Sequence, residues 1–371
     1  MISVKLGAFL RKVRTFVAAE KRPFTMKRNW WKFLCALLLF FTLFGGLLIP
    51  LAPGFFITSN TVVPTFSAPF TVKVLGYNTR FRQNEKTFSA HLTNWSDSKP
   101  VDICPSAVRV IDDKHAELDF PPVSRMDSLF FGLTVYNAAD GKMYVHSAIF
   151  TSDTMKGGIV PACHPDVKNT KQDHFAFPFR DVLYESMRNL FFHVPMWFCM
   201  IALLSWALWN NFKYLRGFDL KYDTMANQAV NTSLVFGLLG LLTGSVWARS
   251  TWGAWWVDDV KLNGTAITML AYLAYVVLRN SMEDEHKRAR VSAIYSIFAY
   301  VMMIVLIGIL PRLQSSDSLH PGNGGNPAFS NYDLDNTLRP VFYCAVLGWI
   351  LLGFWIYTIK LRIHHLRQLK N

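Results

Sequence analysis

The chain has 371 residues, of which 51% are hydrophobic and only 17% charged, yet its formal net charge is +13. Globular domains hold about 25% charged residues, so this balance excludes a soluble enzyme and a nucleic-acid binder, and the apolar content excludes disorder. A mean hydropathy of +0.21 and 15% aromatics point to a bilayer, with the positive surplus against its anionic cytoplasmic face.

Six apolar runs, uncharged apart from Lys360 near the end of the last, approach the roughly 20 residues needed to cross the hydrocarbon core. They extend from about Phe33 to Leu51, Leu190 to Trp209, Val230 to Val246, Leu262 to Leu278, Ala293 to Leu310 and Val341 to Leu361. The first follows Trp30, Trp31 and nine Lys/Arg, and Pro50 and Pro53 stand where a signal peptide would have small cleavage-site residues, so it reads as a retained anchor. The expected organisation is a basic cytoplasmic segment 1–32, a transmembrane helix 33–51 and an extracytoplasmic β-rich domain 52–185. A five-helix membrane domain 186–362 follows, carrying a tryptophan-rich loop 247–262 and an outer loop 311–339, and a cytoplasmic tail 363–371 ends the chain. The fold class is therefore an α-helical polytopic membrane protein with six transmembrane helices and an inserted all-β extracytoplasmic domain.

Charge sets the orientation. The N-terminal segment, the loops at 210–227 and 279–292, and the chain from Lys360 onward together carry 20 basic and 6 acidic residues, against 18 and 19 in the rest. The first set is cytoplasmic by the positive-inside rule, with both termini inside. Within 52–185, alternation at Phe70–Tyr77, Ala107–Ile111 and Leu133–Tyr136, with Asp140-Gly141 leading into Met143–Ile149, predicts strands and a hairpin of a small sandwich. Cys104 and Cys163 both fall here; in an oxidising compartment they are candidates for a disulfide, which spacing alone leaves open. Cys35, Cys199 and Cys344 lie in the apolar runs and read as packing residues.

Three features carry chemistry. Trp247, Trp252, Trp255 and Trp256 place four of the twelve tryptophans within ten residues. They can be an interfacial aromatic belt. If the stretch is helical, however, Trp252, Trp255, Trp256 and Asp259 share a face, giving an aromatic platform for a large flat apolar ligand whose acidic groups Arg249 and Lys261 could neutralise. His193 sits at the outer mouth of the second span, two residues before Pro195, a proline suited to a helix's first turn. His320 lies in the outer loop between spans five and six. Each alone has an ordinary reading, as a hydrogen-bonded structural group or a solvated loop residue. The charge-based topology, however, puts both on the face that holds the tryptophans. Two imidazoles beside an aromatic wall with nearby cations are what a six-coordinate haem iron needs. His91, His115, His146, His164 and His174 fall in the β-domain without metal-ligand spacing; His286, His364 and His365 lie among cytoplasmic basic residues. Neither Cys-x-x-Cys-His nor a P-loop is present.

The stretch Trp252-Gly-Ala-Trp255-Trp256-Val-Asp258-Asp259-Val-Lys261-Leu262 resembles the WWD signature of the haem-handling proteins of cytochrome c biogenesis. His193-Val194-Pro195 after Leu190-Phe191-Phe192, with Arg188 at a basic position, resembles the first haem-ligand motif of the CcmC branch, and Leu319-His320-Pro321-Gly322 the second. Thr243-Gly244-Ser245-Val246-Trp247 resembles the lead-in, and six spans is the CcmC number. The likeness covers roughly 30–52 and 185–362. It departs where the family has Trp-Asp-x-Arg-Leu-Thr and this chain has Asp258-Asp259-Val-Lys261-Leu262-Asn263, which narrows the platform and exchanges a guanidinium fork for a point charge. The inserted β-domain has no counterpart in the compact family member.

The resemblance implies a haem-transfer accessory protein rather than a turnover enzyme, in the bacterial inner membrane. It would hold non-covalent haem b at the periplasmic face through His193 and His320 as iron ligands. Trp247, Trp252, Trp255, Trp256, Asp259, Arg188, Arg249 and Lys261 would contact the porphyrin. A CcmE-type haem chaperone, CcmA/CcmB-type ABC transporter subunits and membrane lipid are the implied partners; nucleic acid is not. The rival readings are a membrane b-type cytochrome in quinone-linked electron transfer and a non-haem protein whose membrane-anchored β-domain makes the functional contacts.

Overall fold

The computed structural model of the chain describes residues 26–63, 68–94, 101–122, 130–151, 163, 175–313, 318–323, 328–330 and 333–370. Most of the basic N-terminal segment, His164, His174 and residues 324–327 of the Pro-Gly-Asn run lie outside them. The chain divides into two units, Ile49–Glu185 and the remainder.

The first unit is built from β1 (Gly54–Ile57), β2 (Val62–Val63), β3 (Phe70–Tyr77), β4 (Ser89–Asn94), β5 (Val101–Ile103), β6 (Ala107–Val110), β7 (His115–Phe120), β8 (Phe130–Asn137) and β9 (Gly141–Thr151). They form a four-stranded sheet in the order β1-β3-β7-β6 and a five-stranded sheet in the order β2-β9-β8-β4-β5. Alternation explains the layering. Val72 and Val74 of β3 and Ala116, Leu118 and Phe120 of β7 point inward, while on the outer face Glu117 meets Lys73 at 3.0 Å and Arg109 at 2.9 Å. Leu92, Phe131, Leu133, Val135 and Ile149 of the other sheet close the same core, so the unit is a sandwich.

The β8–β9 hairpin turns at Gly141, with φ of +76°, a conformation that costs glycine nothing. Asn137 braces it by accepting from the Ala139 and Asp140 amides at 2.9 and 2.8 Å.

Cys104 and Cys163 are joined, with Cα atoms 5.8 Å apart and a sequence separation of 59. Closing a loop of that length is worth about 4 kcal/mol through the unfolded chain. A reductant is therefore expected to lower the thermal midpoint of the detergent-solubilised protein to that of Cys104→Ser, and to leave Cys104→Ser itself unchanged. Wild-type melting that ignores the reductant would contradict the bridge.

The second unit comprises α1 (Met26–Leu48), α2 (Leu190–Gly217), α3 (Leu220–Trp252), α4 (Val260–Asn280), α5 (Glu285–Met303) with a π-turn Ile304–Ile309, α6 (Leu310–Leu313) and α7 (Arg339–Lys370). Among the described residues, six helical stretches are long and apolar enough to cross a membrane. The last continues to Lys370, so the region expected as a tail from 363 onward is helical over those residues. Leu37, Leu238, Leu270, Val277 and Phe298 face outward, each more than half exposed, which suits lipid rather than water.

Small residues set how closely the helices approach. Along α2, His193, Trp197 and Met200 meet Gly244, Gly240 and Gly237 of the antiparallel α3. A Cβ on these glycines would fall 2.5 Å from His193 Cε1, 2.7 Å from the Trp197 ring and 2.8 Å from Met200 Sδ. The glycine stripe thus lets bulky side chains lie on the α3 backbone. Gly264 of α4 does the same against the π-turn, where a Cβ would lie 2.7 Å from the Leu306 carbonyl oxygen.

Pro195 is the sixth residue of α2 rather than part of its first turn. It cannot donate to the Phe191 carbonyl. The Trp349 indole of α7 donates to that oxygen instead, at 3.3 Å.

At the end of the bundle where α3 begins and α4 ends, Arg279 makes a two-pronged ion pair with Asp223, at 2.7 and 2.6 Å, with both residues under 10% exposed.

Candidate functional site

The opposite end of the bundle gathers His193 from α2, the Trp247–Trp252 end of α3, Asp259 at the start of α4 and His320 from the connection before α7.

His193 is the fourth residue of α2 and half-buried. Its Nδ1 lies 3.0 Å from the Gly240 carbonyl and 3.2 Å from Thr243 Oγ1. The carbonyl can only accept, and the Thr243 hydroxyl already donates to Leu239 O at 2.8 Å. Nδ1 therefore carries the ring proton and Nε2 the lone pair. Trp247 and Trp197 stand edge-on to the imidazole, with centroids 5.7 and 6.2 Å away, and the Trp247 indole donates to Ser186 Oγ at 3.2 Å.

The 247–262 stretch is not one helix. α3 stops at Trp252 because Gly253 takes a left-handed φ of +77°, and α4 begins only at Val260, capped by Asp259. The shared face expected for Trp252, Trp255, Trp256 and Asp259 on helical spacing is therefore replaced by a different arrangement. Trp252 ends α3 edge-on to His320, with centroids 5.1 Å apart. Trp255 and Trp256 lie on the connecting bend, 59% and 43% exposed. Ser245 holds the bend by donating to Trp255 O at 2.9 Å. Each histidine thus has its own tryptophan, and two further tryptophans stand open beside them.

Two of the three departures from the resembled signature, Asp258 and Asn263, answer one another. Asn263 donates to Asp258 Oδ1 at 2.8 Å and accepts from the Trp256 indole at 3.2 Å. Asp258 is exposed and, through Asn263, steadies the neighbouring tryptophan.

Asp259 is 1% exposed. Oδ1 accepts from the Lys261 and Leu262 amides at 2.9 and 3.0 Å, and Oδ2 from the Leu319 amide at 2.8 Å. His320 Nδ1 lies 3.3 Å from Oδ1, within ion-pair range but off the line of a well-directed hydrogen bond. Burial opposes the charge, but the His320 imidazole, the Leu262 amide and Ser318 outweigh it and hold the carboxyl well below the usual carboxylate range. The carboxylate thus lies on the Nδ1 side of the His320 ring, and Nε2 is the nitrogen turned away from it. Among the described residues, neither Nε2 has a hydrogen-bond partner.

The cations expected at the site each meet a backbone carbonyl. Arg188 donates to Gly46 O at 2.7 Å, Arg249 to Gly253 O, and Lys261 Nζ to Pro321 O at 2.6 Å. Arg312 escaped the sequence reading because it follows an apolar run with no motif around it. A Cβ on Gly322 would lie 3.1 Å from Lys261 Nζ and 3.9 Å from the Arg312 guanidinium, so both cations flank the turn after His320.

Among the described residues no three His, Cys, Asp or Glu side chains converge as a metal cluster. A zinc-type centre would need such a group; a haem iron needs only two axial nitrogens. The donor set, two imidazoles with open indoles beside them, fits haem.

The sequence model of the family described as CcmC, heme exporter protein C, matches residues 175–370. The chain belongs to the CcmC family. Heme exporter protein C of Escherichia coli is 26% identical over 188 residues, 48% of this chain and 69% of that protein. Its Haemophilus influenzae counterpart is 26% identical over 138 residues, 36% of this chain and 53% of the relative. Cytochrome c biogenesis protein CcsA of Prochlorococcus marinus is 34% identical over 87 residues, 24% of this chain and 27% of that protein. The CcmC match contains all ten candidate site residues and begins beyond β9, so the sandwich strands lie outside it.

Proposed function

We propose that this CcmC-family chain handles haem for cytochrome c maturation, as a multi-pass protein of the bacterial inner membrane with both termini cytoplasmic. His193 and His320 are the axial ligands of non-covalent haem b at the periplasmic face, and Trp247, Trp252, Trp255 and Trp256 supply its aromatic surroundings. A CcmE-type haem chaperone receives the haem, with CcmA/CcmB-type ABC transporter subunits assisting release, and the β-domain is extracytoplasmic.

The observation that carries this reading is the matched state of the two histidines. They come from distant segments to one end of the bundle, and each has an oxygen beside Nδ1, the Gly240 carbonyl at 3.0 Å for His193 and the Asp259 carboxylate at 3.3 Å for His320, so that Nε2 is the nitrogen offered to iron. Bound haem would supply the iron that takes both nitrogens. The protein holds the imidazoles in the right tautomer and keeps Trp255 and Trp256 open to the porphyrin. Half-exposed tryptophans suit a carrier that must release its cargo. With Lys261 engaged by Pro321, the Arg312 guanidinium is the cation placed to meet a propionate.

The test combines a spectrum with a genetic readout. Protein purified in detergent from haem-replete cells should show the visible bands of six-coordinate bis-His haem, and deleting the gene should remove all c-type cytochromes together. Colourless protein sinks the proposal. A respiratory defect with normal c-type cytochromes would instead favour a b-type electron carrier.

A further inference from the structure

Asp259 and Lys261 belong to the signature expected to contact haem, yet both side chains are committed to the short segment that carries His320. Asp259 spans two elements. Its Oδ1 caps α4 through the Lys261 and Leu262 amides, and its Oδ2 accepts the amide of Leu319, immediately before His320, at 2.8 Å. The His320 ring itself comes to 3.3 Å from Oδ1. Two residues along α4, Lys261 Nζ donates to the carbonyl of Pro321, immediately after His320, at 2.6 Å.

The first turn of α4 therefore grips the backbone on both sides of one histidine. The grip is made of charge-assisted hydrogen bonds, roughly twice as strong as neutral ones, and one of its two anchors is a buried carboxylate. Inside the segment, Ser318 Oγ accepts from the His320 amide at 3.2 Å and Asn323 donates to Ser318 O at 2.8 Å, so it is already folded into a turn. Gly322, with φ of +88°, lets that turn pass beside Lys261 Nζ, where a Cβ would stand 3.1 Å away. His193 needs no such device, because it is fixed on a helix and oriented by Gly240 of α3.

We propose that Asp259 and Lys261 are positioning residues for His320: they clamp Leu319 and Pro321 to the start of α4 and so hold the imidazole beside Trp252 with Nε2 available to iron. The proposal rests on the haem reading for its consequence, but the clamp itself belongs to the haem-free chain. It also gives the lysine at this position a definite task, since a single ammonium reaching one carbonyl is all the geometry asks for.

Two variants separate the roles. Asp259→Asn keeps shape and a helix cap but removes the acceptor for the Leu319 amide, and Lys261→Met removes the bond to Pro321 without touching the cap. In haem-free full-length protein in detergent, hydrogen–deuterium exchange of the 318–323 segment should rise roughly tenfold or more in either variant, the amount expected when a hydrogen bond to a charged group is lost.

In haem-loaded protein both variants should lose the six-coordinate spectrum, and added imidazole should restore it, as it should in His320→Gly. Unchanged exchange overturns the clamp whatever the spectrum does. Haem loss that imidazole does not repair also overturns it, because direct contact with the porphyrin would then be the role of these side chains. Colourless wild-type protein combined with fast-exchanging variants would overturn the functional reading above and leave the clamp standing.

Discussion

His193→Ala is expected to lose haem almost completely while the protein still folds. The imidazole donates to Gly240 O and stands against Trp197 and Trp247, and its Nε2 faces no protein partner among the described residues, so on the proposed reading its removal costs the iron a ligand and the fold one hydrogen bond. Removing an outer-shell partner of a metal ligand costs about 10–100-fold in affinity, and removing the ligand itself should cost at least as much. Haem per protein, measured on protein purified from haem-replete cells, should fall below about a tenth of wild type by that scale. Gly244→Ala provides a graded comparison, because its methyl carbon would sit 2.5 Å from His193 Cε1 and the ring must turn away from Gly240. Intermediate haem content and a shifted visible spectrum are expected. His146→Ala, in the sandwich, should keep the wild-type spectrum. Wild-type haem content in His193→Ala would remove this residue from the iron.

The second large effect lies at the other end of the bundle. Asp223→Ala strands the Arg279 guanidinium in a site where it is 9% exposed, next to Tyr275. Breaking a buried pair by removing one partner costs about 3–5 kcal/mol, whereas replacing both with apolar residues is often neutral. The thermal midpoint in detergent should therefore drop steeply in Asp223→Ala and recover most of the loss in the double variant Asp223→Leu, Arg279→Met. A double variant that melts as low as the sum of two single losses would show that the pair stabilises the bundle outright rather than merely needing to stay matched. Because the pair ties the first turn of α3 to the last turn of α4, it should leave haem content unchanged in the protein that remains folded.

The membrane helices, four of the nine described strands and the candidate histidines are legible in the sequence, and for different reasons. An apolar run long enough to span a bilayer has few alternatives, because lipid cannot satisfy an open backbone. The strands of the sandwich announced themselves by period-two alternation, as in Phe70–Tyr77, and its hairpin by Asp140-Gly141. Neither signal depends on what the segment packs against. The disulfide was left open by spacing and decided by the sandwich, which brings residues 59 apart in sequence to a Cα separation of 5.8 Å.

The tryptophan segment was legible in composition and wrong in conformation. Its spacing suited a helical face, but a single Gly253 at positive φ ends α3 and lets Asp259 start a new helix. Backbone conformation at one glycine outweighed periodicity over ten residues.

Arg249 and Lys261 read in the sequence as cations for an acidic ligand, and Arg188 as the basic residue of the first haem-ligand motif. A cation's partner is a three-dimensional fact, however, and each of these donates to a carbonyl. The sequence by itself determined that this is a six-span membrane protein with a β insertion, and it singled out two histidines and four tryptophans. Only the tertiary structure decided how those residues are held. The acceptors that orient the rings, Gly240 O for His193 and Asp259 for His320, lie 47 and about 60 residues away, and contacts over such distances leave no local pattern in the chain.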